Sequence, residues 1–92
     1  MAKTLFTVHS VRLDKNNDVG FVFPSKGKAQ FDPNEDMDND VLQDMATNNL
    51  LLIHPDNCYI GHHGDDFAVV DNSNDNVVLM LVKADPTIHD EH

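Results

Sequence analysis

The chain has 92 residues, room for one domain and not two, with 40% hydrophobic and 24% charged residues. Sixteen acidic residues against six basic ones give a formal charge of −10, a field that repels polyanions and attracts polycations. The single cysteine, Cys58, excludes an intrachain disulfide; with no signal-like N-terminus and no apolar run near the roughly 20 residues that span a bilayer, the expectation is a soluble, cytoplasmic protein.

In chain order, Thr4–Leu13 is rich in β-branched and apolar residues and reads as a strand. Asp14–Asp18 is a turn, Val19–Phe23 the returning strand, and Pro24 its end; a short third strand is expected at Ala29–Phe31. Asp32-Pro33 has the chemistry of a helix start, Asp to cap free N–H groups and Pro for the first helical position. Met37, Val41, Leu42, Met45 and Ala46 then form one helical stripe, which Asn48-Asn49 ends. Leu50–Ile53 reads as a buried strand, Cys58–Ile60 as a short one, and Gly61–Asp66 as a loop. Phe67–Val70 and Val77–Lys83 flank the polar segment Asp71–Asn76 as a hairpin. The run Val77–Val82 is apolar on both faces, which suits a central strand or a homodimer interface. The expected fold is α+β: a mainly antiparallel sheet built from hairpins, with one helix at about residues 33–48 packed on one face. Residues 1–85 form the compact domain and 86–92 a frayed acidic tail.

The charge is unevenly placed. Residues 1–28 hold Lys3, Arg12, Lys15, Lys26 and Lys28 against Asp14 and Asp18, a local balance of +3. From Ala29 to Val82 the chain runs 54 residues without lysine or arginine and carries eleven carboxylates. Fourteen of the acids in the whole chain are Asp and only two are Glu, so much of the charge belongs on turns and strand ends, where a short side chain can bond the local backbone. The helix is where the acid has geometry: Asp36, Asp40 and Asp44 are four apart and share a face, each about 6 Å along the axis from the next. Carboxylates at that spacing can stand in for backbone phosphates. A solvated polar face is the plainer account, but no cation in the segment relieves the repulsion.

Other constellations are weaker. Asp14/Asn16/Asp18, Asp36/Asp38/Asp40 and Asp71/Ser73/Asp75 share the alternate-oxygen start of a calcium loop, yet each lacks the Gly at position 6 and the Glu at position 12. His54, Cys58, His62 and His63 are zinc-compatible residue types at a spacing that matches no common zinc motif. Cys58 with a nearby His could form a nucleophile–base pair, but no phosphate loop, nucleophile elbow or paired-carboxylate motif accompanies it. No enzyme activity, cofactor or metal is expected.

In size, charge and α+β character the chain resembles phage-encoded inhibitors of uracil-DNA glycosylase, of restriction enzymes and of CRISPR effectors. The likeness is one of type and carries over no residue. It implies a nucleic-acid mimic that blocks the basic cleft of a DNA- or RNA-handling protein, in the host cytoplasm if viral, with no direct nucleic-acid or membrane contact. The residues proposed to meet that partner are Asp32, Glu35, Asp36, Asp38, Asp40 and Asp44, with Asp65, Asp66, Asp71 and Asp75 as a second group. The alternatives are a non-catalytic viral or homo-oligomeric assembly module whose acid serves solubility, and adaptation to a saline cytoplasm.

Overall fold

The computed structural model describes residues 3–34 and 38–84, with Asp38 described by its backbone alone. Five strands make one antiparallel sheet: β1 (Thr4–Leu13), β2 (Val19–Phe31), β3 (Cys58–His63), β4 (Asp66–Asp71) and β5 (Val77–Lys83). Their order in space is β2-β1-β5-β4-β3, and one helix, α1 (Asp38–Thr47), packs on one face. The architecture is the expected α+β fold with a mainly antiparallel sheet. Among the described residues no helix is long and apolar enough to cross a membrane.

β5 is the middle strand, which accounts for a run that is apolar on both faces. Leu79 and Leu81 join Phe6, Val8 and Val69 under the helix, while Met80 packs with Ala68 and Val70 on the opposite face. That second cluster is bordered by Val11, Val19, Val77 and Val82. Between Val69↔Leu79 and Val70↔Val77 the register slips by one residue, so Val78 is the extra residue of a bulge and turns to the helix side beside Leu79. Phe6 stacks on Phe31 at 4.5 Å between ring centroids, and Phe67 meets both rings edge-on at 5.6 and 6.2 Å.

Pro24 does not end a strand: β2 runs unbroken from Val19 to Phe31, joining the two pieces expected from the sequence. β2 is an edge strand, so one side of its backbone needs no ladder partner and the missing N–H of Pro24 is tolerated. The pairing also slips around it, from Val8↔Gly27 to His9↔Ser25 to Val11↔Val22, each slip placing an extra residue on β2. His9 pins the bulge: its Nδ1 lies 2.8 Å from the Phe23 carbonyl, a group that can only accept, so this nitrogen donates.

Among the described residues the helix spans Asp38–Thr47, and its expected first residues, Pro33 and Asn34, are not helical. Pro33 and Asn34 form a turn, and the Asp32 carboxylate accepts the Asn34 N–H at 2.9 Å, closing that turn instead of capping α1. Glu35, Asp36 and Met37 lie outside the described residues. Val41, Leu42 and Met45 form the buried stripe. Asn49, at φ 61°, ends the helix as expected: its N–H bonds Ala46 O at 3.1 Å and the Leu50 N–H bonds Met45 O at 2.8 Å, the paired bonds of a Schellman cap.

Leu50–Ile53 is not a strand. The cap turns Leu50 and Leu51 into the core, Leu52 is 85% exposed, and a 3-10 turn at Pro55–Asn57 follows directly, leaving too little chain to pair. Leu50 sits so close to Gly27 of β2 that a Cβ there would lie 2.5 Å from its Cδ2. The Gly61–Asp66 loop shrinks to the two residues Gly64-Asp65, because β3 and β4 pair as far as His63↔Asp66; Gly64, at φ 63°, supplies the left-handed residue that so short a hairpin loop requires. The proposed tail, residues 86–92, lies outside the described residues.

Candidate functional site

The acids proposed as partner contacts fall into distinct settings. Asp40 and Asp44 are exposed, one turn apart on a flank of α1 beside the buried Val41. They line an open cavity of about 260 Å³ between the helix and the sheet, together with Lys3, Ala29, Gln30, Phe31 and Val41. The fold therefore brings a cation to a helix whose own segment has none. Asp32 is 9% exposed and its carboxylate is engaged in the turn before the helix, so it stands apart from that face. Glu35 and Asp36 lie outside the described residues, as does the Asp38 side chain.

The second group divides. Asp65 and Asp66 are at the start of β4 and Asp71 and Asp75 at its end or just beyond, so about 17 Å of strand separates Asp66 from Asp71. Asp66 accepts the Lys83 backbone N–H at 3.1 Å, while Asp65 is exposed on the turn. Asp71 accepts the Ser73 N–H at 2.8 Å and the Ser73 hydroxyl at 2.7 Å, and these hydrogen bonds hold its carboxyl below the ordinary carboxylate value. Asp75, at φ 59°, accepts the Tyr59 hydroxyl at 3.3 Å. Tyr59 is pushed up chiefly by desolvation, then by the Asp75 charge and that bond.

Turn chemistry accounts for the two calcium-like segments in loops. Asp14 accepts the N–H groups of Asn16 and Asp18 at 2.8 and 3.1 Å, and Asp71 does the same for Ser73. Cys58 is buried with its thiol directed at Pro55 O (3.6 Å) and His54 O (3.7 Å). Burial first, and Asp71 second, raise its pKa above the ordinary 9.0, so it is a thiol at neutral pH. His54 accepts the Asp56 N–H at 3.1 Å, and His62 packs 4.8 Å from the Phe67 ring. His62 and His63 are consecutive on β3 and so point to opposite faces. Among the described residues no three His, Cys, Asp or Glu side chains converge as a metal site would require.

Nothing in the sequence marks which apolar residues end up exposed. Phe21 is 51% and Val22 41% exposed on β2, and the Arg12 guanidinium lies 5.9 Å from the Phe21 ring and 5.6 Å from the Phe23 ring. Alternation in Val19–Phe23 marks a strand but carries no mark of an edge. The cations are also more scattered than the charge of residues 1–28 suggested: Lys26 and Lys28 lie on edge strand β2, Arg12 on β1, and Lys3 beside α1. No protein-family model, curated protein or solved structure matches the chain.

Proposed function

We propose that this is a non-catalytic acidic binding protein that occupies the basic, nucleic-acid-binding surface of another protein in place of nucleic acid. The observation that carries the reading is the exposed, turn-spaced pair Asp40 and Asp44 on one flank of α1, within a segment free of lysine and arginine. Carboxylates about 6 Å apart along a helix can meet successive Arg and Lys side chains that would otherwise hold phosphates. Lys3 tempers the local field, so the surface is a limited acidic site rather than a uniform one.

The test is capture from a host lysate on the immobilised full chain, washed at low and then high salt and challenged with duplex DNA. Nucleic-acid-binding proteins should be retained, released by salt and displaced by the DNA, and Asp40→Asn/Asp44→Asn should retain less. Retention indifferent to salt, DNA and both substitutions would sink the proposal.

One observation favours a second reading, a homo-oligomeric or viral assembly module in which the acid serves solubility. Among the described residues edge strand β2 is unpaired on one side, and it exposes Phe21 and Val22. Light scattering separates the two: an oligomer unaffected by Asp40→Asn/Asp44→Asn supports assembly.

A further inference from the structure

The acidic helix shares its side of the sheet with exposed apolar side chains. Ser10 of β1 lines a small apolar cavity with Leu51, Leu52 and Leu79, below the loop that leaves α1. Arg12 lies two residues further along β1 and projects from the same face, with Phe21 and Phe23 against its guanidinium. Leu52 and Phe21 therefore lie on the helix side of the sheet, with Asp40 and Asp44 beside Phe31 at the other end of β2, roughly 30 Å of strand from Phe21.

Charge selects the occupant of such a face. Each copy carries a net charge of −10, so a second copy approaching this face meets net repulsion, tempered by the counter-charge of Arg12. A cationic partner relieves that repulsion. Size points the same way: a stable interface buries about 800 Å² from each partner, roughly one-seventh of the 5887 Å² this molecule exposes. Two exposed aspartates cover little of that, and exposed ion pairs add little affinity each. Long residence comes from desolvated apolar and aromatic anchors.

Resting on the functional reading above, we infer that the helix side of the molecule is a composite docking surface for a basic protein that carries an apolar patch. Asp40 and Asp44 meet its cations; Leu52 and Phe21 take its apolar side chains. Charge sets the rate of encounter and its salt dependence, and the apolar pair sets how long the complex lasts.

Two synthetic peptides of equal length and charge test this by fluorescence anisotropy with the full chain, one alternating Lys and Leu, the other Lys and Ser. The Lys–Leu peptide should bind at least about tenfold tighter. Leu52→Ser/Phe21→Ser should bring the two affinities together by weakening the Lys–Leu peptide alone. Leu52 is largely exposed and Phe21 half-exposed, and Leu52→Ser by itself, expected to remove part of the difference, serves if the double variant melts early. Asp40→Asn/Asp44→Asn should weaken both peptides equally and flatten the salt dependence. Equal affinities in the wild type, or a difference that survives Leu52→Ser/Phe21→Ser, overturn the docking surface while leaving the acidic site standing. Binding indifferent to Asp40→Asn/Asp44→Asn overturns the functional reading itself. A wild-type dimer that Leu52→Ser/Phe21→Ser dissolves also overturns the inference, because a second copy is then the occupant.

Discussion

The β1–β2 hairpin and the β3–β4–β5 meander are built from the same materials, apolar strands joined by Asp- and Asn-rich turns, and the fold uses them differently. In the meander both faces of β4 and β5 are covered: Val69, Leu79 and Leu81 on the helix side, Ala68, Val70 and Met80 on the other. In the hairpin only the part beside β5 is core. β1 pairs with β5 from Phe6 to Ser10; within that reach Phe6, Val8 and Ala29 are buried, and Phe31 is buried just before it. Toward its turn the hairpin runs on from bulges at Val8/His9 and His9/Val11, and there Phe21 and Val22 are exposed. Burial follows the neighbour a strand acquires, not the composition of the strand.

The contrast breaks most sharply at two phenylalanines. Phe6→Ala, at 0% exposure and stacked on Phe31, should cost about 3–5 kcal/mol, a large share of what a domain this size possesses. Phe21→Ala, half-exposed on the hairpin, should cost under about 1 kcal/mol. Urea unfolding of the two variants measures the difference directly. Similar losses would mean that the distal hairpin belongs to the cooperative core.

A smaller effect sharpens the turns. A methyl group added at Gly64 would meet nothing within 4 Å, so Gly64→Ala is a purely conformational change at φ 63° and should cost about 1 kcal/mol. Chemical denaturation reads this as a shifted midpoint at constant slope. A neutral result would show that the β3–β4 turn relaxes to another type.

The smallest effects are in pH. Asp71 has a depressed pKa in the folded state, so its stabilising effect is present above the ordinary value of 3.8 and is lost as pH falls through the folded value. The stability gap between wild type and Asp71→Asn should therefore close below that point. Cys58 behaves in the opposite sense. Its pKa is raised, so its contribution is complete below the ordinary 9.0 and declines as pH rises from there through the folded value. Cys58→Ala should flatten the alkaline limb of the stability–pH curve; a limb of unchanged slope would assign it to Tyr59, which is also raised.

Much of the fold was legible where the signal is local. The Val41/Leu42/Met45 stripe, the stop at Asn49 and the Asp71–Asn76 turn all follow from interactions within a few residues. Pro24 misled because its cost depends on whether the strand is at an edge, and Leu50–Ile53 misled because an apolar run can be buried without pairing. Of the candidate site, the exposure and common face of Asp40 and Asp44 followed from their spacing. The division of the second acidic group followed from nothing local, since a six-residue strand separates residues that look adjacent in composition.

By itself the sequence determined the α+β class, the strand-rich halves, the helix stripe and the acidic segment without a cation, because periodicity, turn chemistry and charge content are properties of neighbouring residues. Only the tertiary structure decided which strands pair, and with that everything global. Phe6 and Lys83, from opposite ends of the chain, face each other across β1 and β5, and this contact makes β5 central and β2 an edge. The same closure sets Lys3 beside Asp40 and Asp44, and leaves Phe21 and Leu52 exposed on the helix side of the sheet. Those outcomes depend on long-range pairing, and no window of sequence contains both partners.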